Sequence, residues 1–303
     1  MTLTERLSMS ELWQQFFFHL RAKRRSKATL TYYGCTQRIF GRFLVSAGLP
    51  QEARALTTAH LRAFMRSLEA GGLAPGGVHG HARAIRALFN WAHREELLAA
   101  NPVQRLELPT LARVRLPTVN VELTKRLLAV SKTQGQPLRD AAMILTLFDT
   151  GVRVQELASL RTEDLLFERG LVRVMGKGHK ERFVPIGGRA MQAVSAYLRR
   201  ERAAAHAGVQ HVFLGRGGLG LTKSGVTLRL LRLGECLELP RSACSPHTFR
   251  RGFAVEFLRN GGDVFTLQQI MGHANLEMTR RYVTFLDDDL KAAHLRFSPA
   301  DRL

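Results

Sequence analysis

The apolar residues of this chain change their spacing once, and that change constrains the fold more than any other feature. Through residues 10–108 they recur at helical intervals. In residues 164–186, DLLFERGLVRVMGKGHKERFVPI, they alternate as strands do, and afterwards the helical interval returns. The pattern predicts a mainly α protein. A helical amino-terminal domain precedes a larger, mostly helical domain that carries one small antiparallel sheet. A length of 303 residues suits two domains, each able to bury its own core.

Within the first domain, helices are predicted over about residues 10–22 and 28–46. Thr58 is positioned to cap a third, whose Leu61, Phe64, Met65 and Leu68 share one face. GGLAPGG at 71–77 reads as a turn. A fourth helix follows with Val78, Ala82, Ile85 and Phe89 on its buried stripe, and NPV at 101–103 is expected to stop it. Residues 109–118, PTLARVRLPT, have prolines near each end and basic residues between, which is linker composition. The domains are therefore placed at 1–108 and 119–303. In the second, strands are expected at 165–167, 171–175 and 182–186, joined by the Arg169-Gly170 and GKGHK turns.

The charge points to a partner. Forty-five Lys and Arg against twenty-five Asp and Glu leave a formal +20, mostly arginine, whose planar fork grips phosphate through two parallel hydrogen bonds. Nucleic acid is the first expectation, ahead of a membrane surface. Arg21, Lys23, Arg24, Arg25 and Lys27 form a dense cluster between two helices, suited to a phosphate backbone or simply to a solvated turn. Cys35, Cys236 and Cys244 are too few and scattered for a disulfide framework or a zinc site. With no apolar signal core at the start and no run approaching a membrane span, a soluble, cytoplasmic protein is expected.

Four places in the second domain could carry chemistry. In DTGVRVQELASL, Arg153 stands at a helix start with Glu156 three residues on, as a surface ion pair or as an oriented guanidinium. In GKGHKERFVPI, Lys177 lies at a glycine-flanked hairpin tip, with Lys180 beside it. In SPHTFRRGFAVEFL, His247 and Arg250 fall one turn apart on the same side of a helix. In MGHANLEMTRRYV, His273 follows a glycine and Tyr282 comes nine residues later. Each alone has an ordinary structural explanation. Together they are a kit for metal-free phosphoryl transfer. Guanidinium groups neutralise the non-bridging oxygens, a phenol attacks, and a lysine protonates the leaving hydroxyl. A phenol of ordinary pKa near 10 needs a proton acceptor or a positive field to do so.

This ordered set resembles the tyrosine recombinase and integrase family, and its intervals resemble those of the Xer-type branch. The words TGVRVQEL, GKGHKER, HTFRRGFA and MGHANLEMTRRY carry the likeness. Phe249 and Met271 stand where leucine is commoner, each still apolar. The resemblance implies a SAM-like core-binding domain and a catalytic domain closing around duplex DNA at a specific recombination site. It implies Tyr282 as nucleophile, Arg153, Arg250 and His273 on the phosphate, Lys177 as general acid, His247 assisting the proton of the tyrosine, and Glu156 propping Arg153. No metal or other cofactor is implied, and a tetramer on paired sites is. A type IB topoisomerase-like enzyme, a DNA-binding regulator with a vestigial site and a non-enzymatic nucleoid protein are the competing expectations. The tail, residues 285–303, is expected to form a short helix with Leu290, Ala293, His294 and Phe297 on one face. That face packs on its own domain or crosses to a neighbouring protomer.

Overall fold

The computed structural model describes residues 7–108, 117–176, 180–273 and 275–283, together with residues 294, 298 and 300. The chain divides into two compact units, Met1–Val114 and Arg115–Leu303. Most of the proline-bounded segment, the hairpin tip at 177–179 and nearly all of the tail lie outside the described residues, so the expectations made for them are neither met nor missed. Of the tail's predicted apolar face, His294 alone is described, and it is exposed.

The first unit is a packing of four helices, α1 (Met9–Ala22), α2 (Lys27–Ser46), α3 (Thr58–Ala70) and α4 (Pro75–Arg94). Ser8 starts α1. Its hydroxyl accepts the Glu11 N–H at 3.1 Å, and its own N–H donates to the Glu11 carboxylate at 2.9 Å, the reciprocal pair of a capping box. Helix α3 is capped by Thr57, not Thr58. The Thr57 hydroxyl accepts the His60 N–H at 3.4 Å, while the Thr58 hydroxyl is already inside the helix and donates to the Pro102 carbonyl at 2.8 Å. The glycine-rich turn is shorter than its composition suggests. Pro75 occupies the first position of α4, where its missing N–H costs nothing, so Gly76 and Gly77 are helical. Nor does NPV stop α4. That helix ends at Arg94, and the chain leaves it through Glu96 at φ 59, so Asn101-Pro102-Val103 forms a separate turn. The predicted stripe is correct: Val78, Ala82, Ile85 and Phe89 are fully buried, against Leu12, Phe40, Leu44, Leu61 and Phe64. Each large side chain buried this way contributes roughly 1.5–3 kcal/mol.

The second unit is built around α6 (Pro137–Thr150), which packs against α5 (Val121–Ser131), α8 (Gly188–Arg200) and α10 (Pro246–Arg259). Asp140 of α6, fully buried, accepts from Arg229 of α9 (Lys223–Glu235) at 2.8 Å and so fastens that helix to the centre. The sheet has the order β1-β2-β3, antiparallel throughout, from β1 (Leu165–Leu166), β2 (Leu171–Met175) and β3 (Glu181–Pro185). Phe167 is not in β1 as expected. It begins a 3-10 turn over Phe167–Arg169 that reverses the chain at Gly170, φ 63, and closes with the Gly170 N–H donating to Phe167 O at 3.1 Å. The third strand runs one residue earlier than expected, because the ladder pairs Met175 with Glu181 and Leu171 with Pro185. Alternation then turns Val172, Val174 and Val184 onto the core. Of the short helices, α7 (Val154–Ser159) packs on α6, while α11 (Val264–Met271) and α12 (Leu276–Val283) pack on each other and on α10.

Candidate active site

The site forms where α6 stops. Gly151 ends that helix in the left-handed conformation, φ 59, and a Cβ there would lie 2.3 Å from the Phe253 ring, so both backbone and space require glycine. Two residues later Arg153 caps α7 and swings its guanidinium outward, 38% exposed. Glu156 holds it twice: its carboxylate accepts the Arg153 N–H at 2.7 Å and Nη1 at 2.9 Å. Arg153 Nη2 donates to Gly272 O at 3.2 Å. Glu156 itself is 3% exposed. Burial pushes its pKa up, but the hydrogen bonds from Arg182 and Arg153 outweigh that and hold the carboxyl below its ordinary range.

Helix α10 delivers Arg250. Ser245 caps it, accepting the Thr248 N–H at 3.3 Å, and Pro246 takes the first position. Arg250 is buried to 6% exposure, with Nη1 donating to Gly151 O and Nη2 to Met271 O at 2.7 Å and to His273 Nε2 at 3.0 Å. Burial, reinforced by the neighbouring Arg153, brings its pKa down to about 10, still cationic at neutral pH. His247 stands exposed one turn earlier, its pKa lowered by partial burial and by Arg251, Lys223 and Arg250.

His273 follows Gly272, which ends α11 at φ 63. Its pKa is lowered to about 4, first by burial and then by Arg250, Arg153 and Arg182, so the ring is neutral. Because Arg250 donates to Nε2, the ring hydrogen sits on Nδ1 and donates to the buried Thr279 hydroxyl at 2.9 Å. The Tyr282 ring lies nearly parallel to His273, centroids 6.1 Å apart, half-buried against Phe253, Ala254, Leu267 and Met271. Arg153, Glu156, Arg250, His273 and Tyr282 are thus brought into one cluster from three separate stretches of chain, with His247 at its edge.

Lys177 lies outside the described residues. Lys180 is exposed at the hairpin base, its carbonyl accepting the Gly176 N–H at 2.8 Å. In the first unit Arg21, Lys23, Arg24, Arg25 and Lys27 are all exposed. Lys23 and Arg25 border a groove that His19, Trp91 and Arg94 also line. Sequence reasoning missed three residues. Arg182 grips Glu156 from β3 at 2.7 and 2.9 Å. Arg251 donates to Pro117 O at 3.0 and 2.8 Å, and its pKa is lowered by burial. Thr279 accepts the Nδ1 hydrogen of His273. The signal for Arg182 was available, since it is a charged residue in the apolar register of a strand. For Arg251 and Thr279 there was none. Among the described residues, no cluster of three or more His, Cys, Asp or Glu could hold a metal ion, and no helix is long and apolar enough to cross a membrane.

Known proteins resemble this arrangement in sequence and in fold. The model of the phage integrase family matches residues 118–288. The tyrosine recombinase XerC of Xanthomonas axonopodis pv. citri is 30% identical over 287 residues, covering 94% of this chain and 92% of that protein. The tyrosine recombinase XerD of Listeria monocytogenes serotype 4b is 30% identical over 299 residues, covering 96% and 99%. Among solved structures, the Tn1549 transposon integrase in complex with transposon right end DNA superposes with a TM-score of 0.78 at 18% identity, over 91% of this chain and 94% of that one. XerH bound to a palindromic difH substrate gives 0.72 at 20%, over 95% and 84%. A lambda integrase dimer bound to a COC′ core site gives 0.74 at 16%, over 92% and 78%.

Proposed function

The chain belongs to the phage integrase family and is a site-specific tyrosine recombinase, and from that premise we propose the role of each residue in its cluster. Tyr282 attacks the scissile phosphorus. A bond forms between phosphorus and the tyrosine oxygen while the bond to the 5′ oxygen breaks, leaving a 3′-phosphotyrosine and a free 5′ hydroxyl. Arg153 and Arg250 take the non-bridging oxygens, whose charge they neutralise in the transition state. Lys177 supplies the proton to the departing oxygen, and His247 assists removal of the tyrosine proton. The new ester conserves the energy of the old one, so rejoining runs the same steps backwards with the other strand.

The observation that carries this reading is the cluster in which Arg250 bonds His273, Arg153 bonds the adjoining Gly272 carbonyl, and the Tyr282 ring stacks on His273. Arg250 now spends one Nη2 hydrogen on His273 Nε2. An arriving phosphate oxygen takes that hydrogen instead. Its negative charge raises the proton affinity of the imidazole, which then donates to phosphate through Nε2 while Thr279 keeps Nδ1. The exposed cluster from Arg21 to Lys27 in the first unit, and Lys180 in the second, grip the backbone of the duplex, positioning it without reading its sequence. Four protomers assemble on paired sites and exchange strands in two steps, in the resolution of chromosome or plasmid dimers or the movement of a mobile element.

Tyr282→Phe keeps the ring and removes the nucleophile. On a nicked duplex carrying the sequence that the protein selects from random DNA, the wild type is expected to leave a covalent adduct on a denaturing gel. The variant is expected to bind equally and leave none. An adduct from the variant at the wild-type level removes Tyr282 from its role.

A further inference from the structure

We infer that Arg182 is a positioning residue for strand cleavage, setting Arg153 and His273 at the spacing that a phosphate requires; the inference rests on the roles proposed above. Strand alternation puts Arg182 on the same face as Val184 and Ile186, facing the core, where a cation is costly unless it is fully engaged. Its guanidinium is engaged on two sides. Nη1 and Nη2 donate to the two carboxylate oxygens of Glu156 at 2.7 and 2.9 Å, and Nε donates to Ile270 O, near the end of α11, at 3.1 Å. The same group lies against Gly272, where an added Cβ would meet Arg182 Nε at 3.0 Å and Cδ at 3.1 Å. Gly272 O in turn accepts from Arg153 Nη2 at 3.2 Å, and Arg153 Nη1 returns to Glu156 at 2.9 Å. The contacts close a ring: Arg182, Glu156, Arg153, Gly272, and back through the backbone to Ile270. His273 is the residue that leaves this ring.

The chemistry of Glu156 shows why the ring matters to more than stability. A carboxylate this deeply buried demands full pairing. Arg182 satisfies it with a two-pronged contact, so Arg153 needs to give only Nη1 and its backbone N–H. Without Arg182, the strongest remaining partner for both oxygens is Arg153. Its guanidinium would turn onto Glu156 in the bidentate geometry that arginine favours, and away from the place where phosphate must sit. Arg182 holds Arg153 available by occupying its competitor.

The test separates positioning from folding. Arg182→Ala, Arg182→Lys and Arg153→Ala are compared with wild type for thermal melting, half-site affinity and single-turnover adduct formation. The duplex is the selected one, with either an ordinary phosphate or a methylphosphonate at the mapped scissile position. A methylphosphonate replaces one non-bridging oxygen by a methyl group and removes the negative charge, so the reaction needs less cationic neutralisation. On ordinary phosphate, Arg182→Ala is expected to slow cleavage by about 10- to 100-fold with affinity nearly unchanged. On the methylphosphonate the gap to wild type is expected to shrink to about threefold for both Arg182→Ala and Arg153→Ala, because the group they withdraw is no longer needed. Arg182→Lys, which keeps a charge on Glu156, is expected to recover much of the rate. A gap of equal size on both substrates, or no gap, overturns the inference. Should Arg182→Ala melt too low to assay, the same ratio measured on Arg182→Gln, which keeps the bulk and removes the charge, decides it. A wild type that makes no adduct overturns the proposed roles first, and this inference with them.

Discussion

At the scale of single residues, the cluster shows how a charged site survives burial. Arg250 and Glu156 are almost inaccessible to water, yet both remain charged, because backbone carbonyls surround one and two guanidinium groups face the other. His273 resolves the same pressure by staying neutral, its pKa near 4. That has a consequence for stability. Between the ordinary value of 6.5 and about 4, the unfolded chain carries a proton on this ring that the folded chain does not. Stability therefore falls as pH drops through that window, by at most about 1.4 kcal/mol per pH unit from this group, and is unaffected by it above pH 6.5. Urea melts at pH 7.5 and 5 are expected to show wild type losing about 1–2 kcal/mol more than His273→Gln. Equal losses would mean that the ring is not held neutral. Arginine, histidine and tyrosine were legible as a set because phosphoryl transfer needs those chemistries in combination. Thr279 was not, since a threonine in a helix carries no mark that a histidine six residues away has chosen it as a partner.

At the scale of elements, the site depends on where α6 ends. Gly151 does three things there: it reverses the chain, leaves room for Phe253, and offers its carbonyl to Arg250. Gly151→Ala forces a side chain into the left-handed region and into an aromatic ring, together costing roughly 2–4 kcal/mol. For a unit of this size that lowers Tm by roughly 5–10 °C. Differential scanning calorimetry tests it, and a Tm within 2 °C of wild type would show that the ring yields freely. Element boundaries were the least legible part of the sequence. Thr57 and Thr58 are chemically the same cap, and only the carbonyl of Pro102, 44 residues away, decides which of them lies inside the helix. GGLAPGG looked like one long turn because glycine signals permissiveness, whereas Pro75 tolerates a helix start as readily as a loop.

At the scale of the whole molecule, the excess of positive charge sets how the protein meets DNA. Forty-five basic residues against twenty-five acidic ones produce an attraction that does not depend on sequence. Each phosphate neutralised releases condensed counterions, so affinity for target and random duplexes alike is expected to fall by roughly a thousandfold or more between 50 and 200 mM salt, given about six to ten contacts. Fluorescence anisotropy titrations over that range measure the slope, and a flat response would contradict a clamp around duplex DNA.

The sequence alone determined the class of fold and marked most of the residues that gather in the cluster. Hydrophobic period is a local property, and the kit for phosphoryl transfer is recognisable from residue types in order. Only the tertiary structure decided which donors face which acceptors: that Arg250 is buried on two carbonyls while Arg153 stays partly exposed, that His273 is neutral with its hydrogen on Nδ1, and that Arg182 shares Glu156. Those outcomes depend on distances between segments far apart in the chain, over which hydrogen bonds and dielectric screening act, and no local pattern of residues encodes such distances.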